Sequence, residues 1–230
     1  MIKLDGVTVA ADTPAGPKTI LDAITCQLPE QRVALVGGNG SGKSTFLRLV
    51  NGLAAPSAGR VEVDGLDLAA NAAEVRRRVG FVFTDPMAQL LMPTPVEDVE
   101  LSLSRVIRKR SERRAEAWRR LAAWGLESVA ETSLYDLSGG ERQLAALVTV
   151  LAVDPAVIAA DEPTTLLDLR NARRLREAFA ALSQQVVVAT HDLAWAADFE
   201  RVLVIDAGRI AADGAPGETI SFYRRLAGDG

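Results

Sequence analysis

The segment from Gly37 to Ser44 has residue types and a spacing suited to phosphate binding. It reads GGNGSGKS and satisfies G-x-x-x-x-G-K-[ST] between a predicted strand and a predicted helix. Glycines let the backbone N–H groups turn toward one anion, and the helix N-terminus adds positive partial charge. Lys43 would reach the outer phosphates, and the Ser44 hydroxyl would bind Mg²⁺. The predicted nucleotide contacts in this segment are Gly37, Asn39, Gly40, Ser41, Gly42, Lys43, Ser44 and Thr45.

Two adjacent carboxylates, Asp161 and Glu162, follow the apolar strand predicted from Ala156 to Ala160. Unpaired charges at the end of a buried strand are costly, so packing gives no reason for them. A metal–phosphate site does give one. Asp161 would hold Mg²⁺ and Glu162 would act as general base on the attacking water. The pair is weak as an indication by itself and becomes strong beside the phosphate loop.

A second anion nest is predicted at Ser138, Gly139 and Gly140, which lie at the start of a helix. Taken alone, this stretch favours a linker. One nucleotide cannot occupy both nests unless the two nests face each other, for example across two subunits.

His191 is the single histidine of the chain and follows a predicted parallel strand. Most lone histidines are structural. The carboxyl edge of a parallel sheet is where ligands bind, so the position favours a catalytic contact with the γ-phosphate.

The overall composition is that of an ordinary globular protein with a single sizeable core. Hydrophobic residues make up 48% of the 230 residues and charged residues 24%, and the net charge is −4. This charge argues against a nucleic-acid binder. One cysteine excludes an internal disulfide and favours a reducing compartment. The start has no signal-peptide pattern, and the longest apolar run, Leu144 to Val153, is about half of a membrane span.

The predicted elements form an α/β fold with a mainly parallel core sheet. Two half-buried strands, Ile2 to Val9 and Thr19 to Leu28, flank a loop from Thr13 to Pro17 and form an N-terminal antiparallel part. Helical periods cover Val96 to Arg108 and Glu112 to Trp124. We therefore predict a single domain over 1–230, with an α/β core at 1–85 and 153–230 and an inserted helical subdomain at 86–152. The remaining predictions are a strand Gln31–Val36, a helix Lys43–Asn51, an edge hairpin at Val61–Gly65, strands Val186–Thr190 and Val202–Ile205, and a helix Leu169–Leu182 with Leu169, Ala172, Leu175, Phe179 and Leu182 inward.

A basic cluster lies within the helical segment, and two interpretations of it stay open. It is either a solvated helix face or a contact for anionic lipid headgroups. Its members are Arg105, Arg108, Lys109, Arg110, Arg113, Arg114, Arg119 and Arg120.

Taken together, GGNGSGKS, LSGGE, AADEP and the lone histidine resemble the ATP-binding cassette ATPases. The resemblance covers essentially the whole chain. It implies two subunits facing head to tail, with each ATP held between Lys43 of one subunit and the Ser138–Gly140 nest of the other. Asp168 matches the loop that links the two sites across that interface.

Within this family, GFVFTDPMAQ, DEPTTLLDLRN and RVLVIDAGRI resemble the ATPases of energy-coupling-factor importers, and most closely those of biotin uptake. The implied partners are a transmembrane coupling protein, a substrate-binding membrane protein and a second ATPase subunit. The implied location is peripheral, on the cytoplasmic face of the membrane. Cobalt and nickel importers have close relatives, so a metal cargo stays open.

Thr84 and the missing aromatic are departures from this pattern. The family usually has glutamine at position 84; threonine keeps an oxygen but is about two atoms shorter, so it reaches Mg²⁺ through a water or not at all. Gln89 is expected to face the membrane partner. No aromatic residue precedes Phe46, which removes about 0.5–2 kcal/mol of base stacking. We expect slow hydrolysis and weak nucleotide binding.

Two other functions remain as alternatives. One is the ATPase of a non-import complex, such as cell-division or lipoprotein-extraction machinery, although those relatives usually carry arginine where Leu144 follows Gln143. The other is an ATP-responsive scaffold with little turnover, which the intact Lys43, Glu162 and His191 argue against.

Overall fold

The computed structural model describes residues 1–13 and 16–228. Its strands are β1 (Ile2–Thr13), β2 (Gly16–Leu28), β3 (Arg32–Val36), β4 (Ala58–Val63), β5 (Leu66–Asp67), β6 (Val79–Val82), β7 (Val157–Asp161), β8 (Gln185–Ala189), β9 (Arg201–Asp206) and β10 (Arg209–Gly214). Its α-helices are α1 (Lys43–Asn51), α2 (Leu68–Arg78), α3 (Pro95–Leu103), α4 (Arg110–Ala123), α5 (Gly139–Leu151), α6 (Leu169–Ala180), α7 (Leu193–Ala196) and α8 (Pro216–Ala227). Short 3₁₀ helices occupy Pro86–Ala88 and Glu127–Val129.

Two sheets carry the α/β architecture. The N-terminal sheet has the order β2-β1-β4-β5, and its pairs are antiparallel. The core sheet has the order β10-β9-β3-β8-β7-β6. In this sheet β3 pairs in parallel with β8 and β9, and β7 pairs in parallel with β8. The predicted fold class is confirmed.

The central strands are buried because their residues are almost all aliphatic. All five residues of β7 are buried, as are the last four of β3 and of β8. Continuous apolar runs of this kind are typical of parallel strands that helices cover on both faces. Polar side chains that follow such strands therefore collect at the carboxyl edge of the sheet.

The chain divides into two compact units, and the functional motifs are distributed between them. The first unit comprises Met1–Gly80, Ala156–Glu162 and the chain from Ser183 onward; the second comprises Phe81–Pro155 and Pro163–Leu182. In the second unit, α3, α4 and α6 all pack against α5.

Several predicted boundaries differ from the structure. β1 and β2 extend into the predicted loop, of which Pro14 and Ala15 lie outside the described residues. The helix predicted from Val96 to Arg108 ends at Leu103, because the Ser104 hydroxyl donates to the Leu101 carbonyl and a turn follows. The elements α2, α7, α8 and β10 were not predicted.

The prediction that Leu169 faces inward is wrong, since this side chain is 90% exposed. The helical period does bury Ala172, Leu175 and Phe179. A face is buried only where another element covers it, and Leu169 lies on the exposed side of the first turn of α6.

Four of the eight residues of the basic cluster pair with carboxylates of their own unit, which favours a solvated, ion-paired face. Arg114 pairs with Glu100 and Glu131, and Arg119 and Arg120 both pair with Glu116. The hydrogen bond from Arg119, which has the larger effect, and that from Arg120 lower the pKa of Glu116 to about 2.

No helix in residues 1–13 and 16–228 is both long enough and apolar enough to span a membrane.

Candidate functional site

The phosphate loop joins β3 to α1 through backbone conformations that glycine favours. Gly37 has φ 152° and Gly42 has φ 115°. A Cβ on Gly37 would overlap the carbonyl oxygen of Ile205, and one on Gly42 would overlap the Leu21 side chain. The tight approach of β9 and β2 to the loop therefore requires glycine at both positions.

The Lys43 ammonium lies inside this loop. It donates hydrogen bonds to the carbonyls of Gly37 and Gly38, with Nζ–O distances of 2.8 and 3.0 Å. The residue is 7% exposed, and burial lowers its pKa, an effect that Glu162 and Asp161 partly offset. The positive charge is thus concentrated where the phosphates of a nucleotide would bind.

Ser44, at the start of α1, meets Asp161 at the end of β7. The serine hydroxyl donates to Asp161 Oδ1 over 3.0 Å, and Asp161 is 8% exposed. Burial raises the pKa of this carboxyl, against the effect of the Ser44 hydrogen bond. The described residues contain no cluster of three His, Cys, Asp or Glu side chains that could hold a metal. Two hard oxygen ligands fit Mg²⁺, which takes its other ligands from phosphates and water.

Glu162 and His191 form a second contact at the same sheet edge. Glu162 Oε2 lies 2.7 Å from His191 Nδ1 and accepts the His191 backbone N–H over 3.3 Å. Glu162 also has φ 48°, an uncommon conformation for a residue with a side chain. Its N–H donates to the Ala189 carbonyl over 2.9 Å, so β8 holds this backbone in place. The carboxylate is therefore oriented by two groups that follow β8.

A pocket beside the loop has an aliphatic and basic lining. Lys18, Ile20, Ala207 and Gly208 line it together with Ala11, Thr19 and residues 40–45. None of the described residues lining it is aromatic, as expected from the absence of aromatics before Phe46. We did not predict the contribution of Ala207 and Gly208, since only the return of the chain at the β9–β10 turn brings them beside the loop.

The predicted nest lies at the N-terminus of α5 in the second unit. Ser138 and Glu141 form a capping box: Ser138 Oγ accepts the Glu141 N–H over 3.3 Å, and Glu141 Oε2 accepts the Ser138 N–H over 2.8 Å. Leu137 anchors this end of the helix in a buried cluster with Leu90, Leu134 and Ala146. Gly139 is exposed, and its N–H is among the helix-terminal donors.

Asp168 also lies in the second unit, where it caps α6. Its Oδ1 accepts the Asn171 N–H over 2.8 Å, and its Oδ2 accepts the Asn171 side-chain amide over 3.1 Å. The same Asn171 side chain lies so close to Gly140 that a Cβ on the glycine would overlap it. Asn171 therefore packs the loop that carries Asp168 against the nest.

Thr84 follows Phe83, whose backbone forms hydrogen bonds with two glutamine side chains. The Gln89 side chain accepts the Phe83 N–H over 3.3 Å, and the Gln143 side chain donates to the Phe83 carbonyl over 3.2 Å. Gln89 also donates to the Ala146 carbonyl over 2.8 Å, so its amide is engaged inside its own unit. We missed Gln143, whose only sequence signal is a polar residue on an otherwise apolar helix face.

The geometry therefore brings Lys43, Ser44, Asp161, Glu162 and His191 together in the first unit. A family profile described as ABC transporter matches residues 21–165, well over half of the chain. The chain belongs to the ATP-binding cassette family. It is an ATPase subunit of a transporter, with ATP as substrate and Mg²⁺ as the associated ion.

Relatives of this ATP-binding cassette protein agree with both its motifs and its fold. The biotin transport ATP-binding protein BioM of Rhizobium etli is 41% identical over 218 residues, which are 95% of this chain and 97% of that protein. A dimeric ATP-binding cassette bound to ADP and Pi has a TM-score of 0.82 at 31% identity, covering 94% of this chain and 99% of its own. The cbiO1 protein of Clostridium perfringens, part of a cbiONQ transporter complex, has a TM-score of 0.82 at 26% identity, covering 99% and 93%. The predicted resemblance to biotin-uptake ATPases is confirmed.

Proposed function

We propose that this cassette powers a membrane importer for a vitamin, with biotin as the favoured cargo. The observation that supports this most is the identity with BioM over nearly the full length of both chains. The proposed partners are a transmembrane coupling protein, a substrate-binding membrane protein and a second ATPase subunit. The proposed position is peripheral, on the cytoplasmic face of the membrane.

In the proposed reaction, the first unit binds the triphosphate. The phosphate loop, with Asn39 to Ser41 and Thr45 around Lys43, would surround the β- and γ-phosphates with N–H donors. The Lys43 ammonium would exchange the carbonyls of Gly37 and Gly38 for phosphate oxygens. Ser44 and Asp161 would hold Mg²⁺, which neutralises charge on the phosphate oxygens. Thr84 would add at most a contact through water, which keeps the basal rate low.

Glu162 is the proposed general base. Its carboxylate would accept a proton from the water that attacks the γ-phosphorus, and His191 would hold that carboxylate while contacting the γ-phosphate. Replacement by Gln keeps the shape and removes the base. We expect Glu162→Gln to lower kcat about 100-fold or more while ATP still binds. Equal turnover of wild type and Glu162→Gln would contradict the assignment.

Two copies of the chain are proposed to enclose two ATP molecules. The dimeric cassette with 31% identity supports this arrangement. Glu162→Gln should accumulate as an ATP-bound dimer, because ATP enters the site and is not consumed. Size-exclusion chromatography with light scattering measures this directly, and ADP is the control nucleotide.

Uptake in the source cell tests the cargo. Cells lacking this chain should lose uptake of radiolabelled biotin, and wild type but not Glu162→Gln should restore it. The alternative cargo is cobalt or nickel, which the sequence resemblance leaves open because importers of these metals have close relatives of this ATPase. Loss of radiolabelled cobalt or nickel uptake with normal biotin uptake would identify a metal, rather than a vitamin, as the cargo. Normal uptake of all three would contradict both cargoes.

A further inference from the structure

The anion nest carries a carboxylate of its own. Ser138 Oγ lies 2.6 Å from Glu141 Oε2, and the same oxygen accepts the Ser138 N–H over 2.8 Å. Distances of 2.5–2.7 Å are typical of a hydroxyl that donates to a carboxylate, and such bonds are stronger than those between neutral groups. The hydroxyl proton that an incoming phosphate would use therefore already has an anionic acceptor.

The Glu141 charge persists at neutral pH. The hydrogen bonds from the Ser138 hydroxyl and N–H lower the pKa of this carboxyl, and Arg174 acts in the same direction. A shallow pocket beside the nest is lined by Ser138, Glu141, Asp168, Asn171 and Glu177 together with Arg170, Arg173 and Arg174. Three of those charged residues have other partners: Arg173 pairs with Glu177 over 3.0 Å, and Arg174 donates to the Trp124 carbonyl. Glu141 is therefore the acid bonded directly to the nest serine.

We propose that the Glu141 carboxylate weakens ATP-dependent pairing of two copies of this chain and so acts as a brake on dimerisation. A phosphate that enters the nest must take the Ser138 hydroxyl from Glu141 and must lie beside a like charge. Both effects weaken the binding between the nest and a triphosphate held by the second copy. The inference rests on the proposed function, in which the nest completes the nucleotide site of the partner subunit.

Glutamine at position 141 removes the charge and preserves the helix start. A capping box accepts Glu or Gln at this position, since the side-chain oxygen of either reaches the N-cap N–H. A change in nucleotide response without a change in thermal stability would therefore report the charge rather than a damaged helix.

The test compares ATP-driven dimerisation of Glu162→Gln with that of Glu162→Gln/Glu141→Gln. Light scattering during an ATP titration gives the ATP concentration at half-dimerisation. We expect the second mutation to lower this ATP concentration about tenfold. It removes a surface charge repulsion of ordinary size at each of the two nucleotide sites of one dimer. The difference should shrink in about 1 M salt, where screening acts within roughly 3 Å.

Glu162→Gln/Glu112→Gln is the matched control. It has the same net charge as Glu162→Gln/Glu141→Gln. Glu112 lies on α4 and does not line this pocket. This control should reach half-dimerisation at the same ATP concentration as Glu162→Gln alone. In the catalytically intact chain, Glu141→Gln should lower KM for ATP.

The outcomes separate this proposal from the one it rests on. If neither protein dimerises with ATP, the shared two-subunit site is wrong. If both dimerise at the same ATP concentration, the site stands and the brake is overturned. An equal shift in the Glu112→Gln control would also overturn it, because the effect would then belong to net charge.

Discussion

The carboxylate of Asp161 is 8% exposed, and burial raises its pKa above the ordinary 3.8. The unfolded chain therefore loses this proton at a lower pH than the folded chain. The free energy of unfolding consequently falls as pH rises through 3.8 toward the folded pKa, and the loss persists at neutral pH. The proposed metal ligation therefore requires a charge at this position that folding disfavours.

We expect Asp161→Asn to raise the melting temperature at pH 7 without nucleotide or Mg²⁺, by a few degrees for each kcal/mol gained. Asparagine still offers Ser44 an acceptor, so the hydrogen bond is retained. The variant should hydrolyse ATP poorly. Asp198→Asn, at an exposed position, is the control and should leave the melting temperature unchanged. A less stable Asp161→Asn would contradict the argument.

Thr84 is the residue from which we expect a low basal rate. Thr84→Gln should raise basal ATPase activity about tenfold, a typical gain for a restored oxygen contact that strengthens in the transition state. Steady-state phosphate release measures this. Thr84→Val, which removes the hydroxyl and keeps the shape, separates a contact through water from no contact. Unchanged activity in both variants would assign this loop to partner coupling alone.

We propose that the end of β1 limits how the nucleotide base is held. Ala11 lines the pocket beside the phosphate loop and offers only a methyl group. We expect Ala11→Tyr to tighten ATP binding about tenfold through stacking on the base. Isothermal titration with ATP and with inorganic triphosphate separates base from phosphate contacts. Ala10→Tyr is the control, because Ala10 is exposed and does not line the pocket.

At the start of α5, two neighbouring glycines have different surroundings. A Cβ on Gly139 would make ordinary contacts at 3.7 Å, whereas one on Gly140 would overlap Asn171. Alanine favours the helix at both positions by up to about 1 kcal/mol. We expect Gly139→Ala to be neutral or stabilising and Gly140→Ala to cost about 1–3 kcal/mol through overpacking. Urea unfolding of both variants would measure the difference, and equal stabilities would contradict it.

On the scale of the whole molecule, each nucleotide site is proposed to be shared by two chains. A mixing experiment tests this with two inactive variants, Lys43→Ala and Gly139→Asp. A mixed dimer would contain one site built from the intact phosphate loop of one chain and the intact nest of the other. With random pairing, half of the dimers are mixed and one site in two is intact, so we expect about a quarter of wild-type activity. No recovery on mixing would contradict the shared site.

The local geometry of the site motifs was predictable from the sequence because each motif depends on neighbouring residues. A glycine-rich turn, a helix start and a strand end are set by neighbouring residues, so GGNGSGKS, AADEP and LSGGE predicted the phosphate loop, the carboxylates and the nest. Aliphatic runs likewise predicted β3, β7 and β8. The helix Lys43–Asn51 was predicted with its observed ends, since it starts directly after the glycine-rich loop and Gly52 adopts the left-handed conformation that ends a helix.

Tertiary structure alone decided which distant side chains meet. Periodicity cannot show that Leu169 lacks a covering element, that Gln143 reaches the Phe83 carbonyl, or that Ala207 lies beside the phosphate loop. Nor can it show that Ser44 and Asp161, 117 residues apart, share a hydrogen bond. Such contacts depend on how sheets and helices pack, which involves pairs far apart in the chain, whereas a motif depends only on its neighbours.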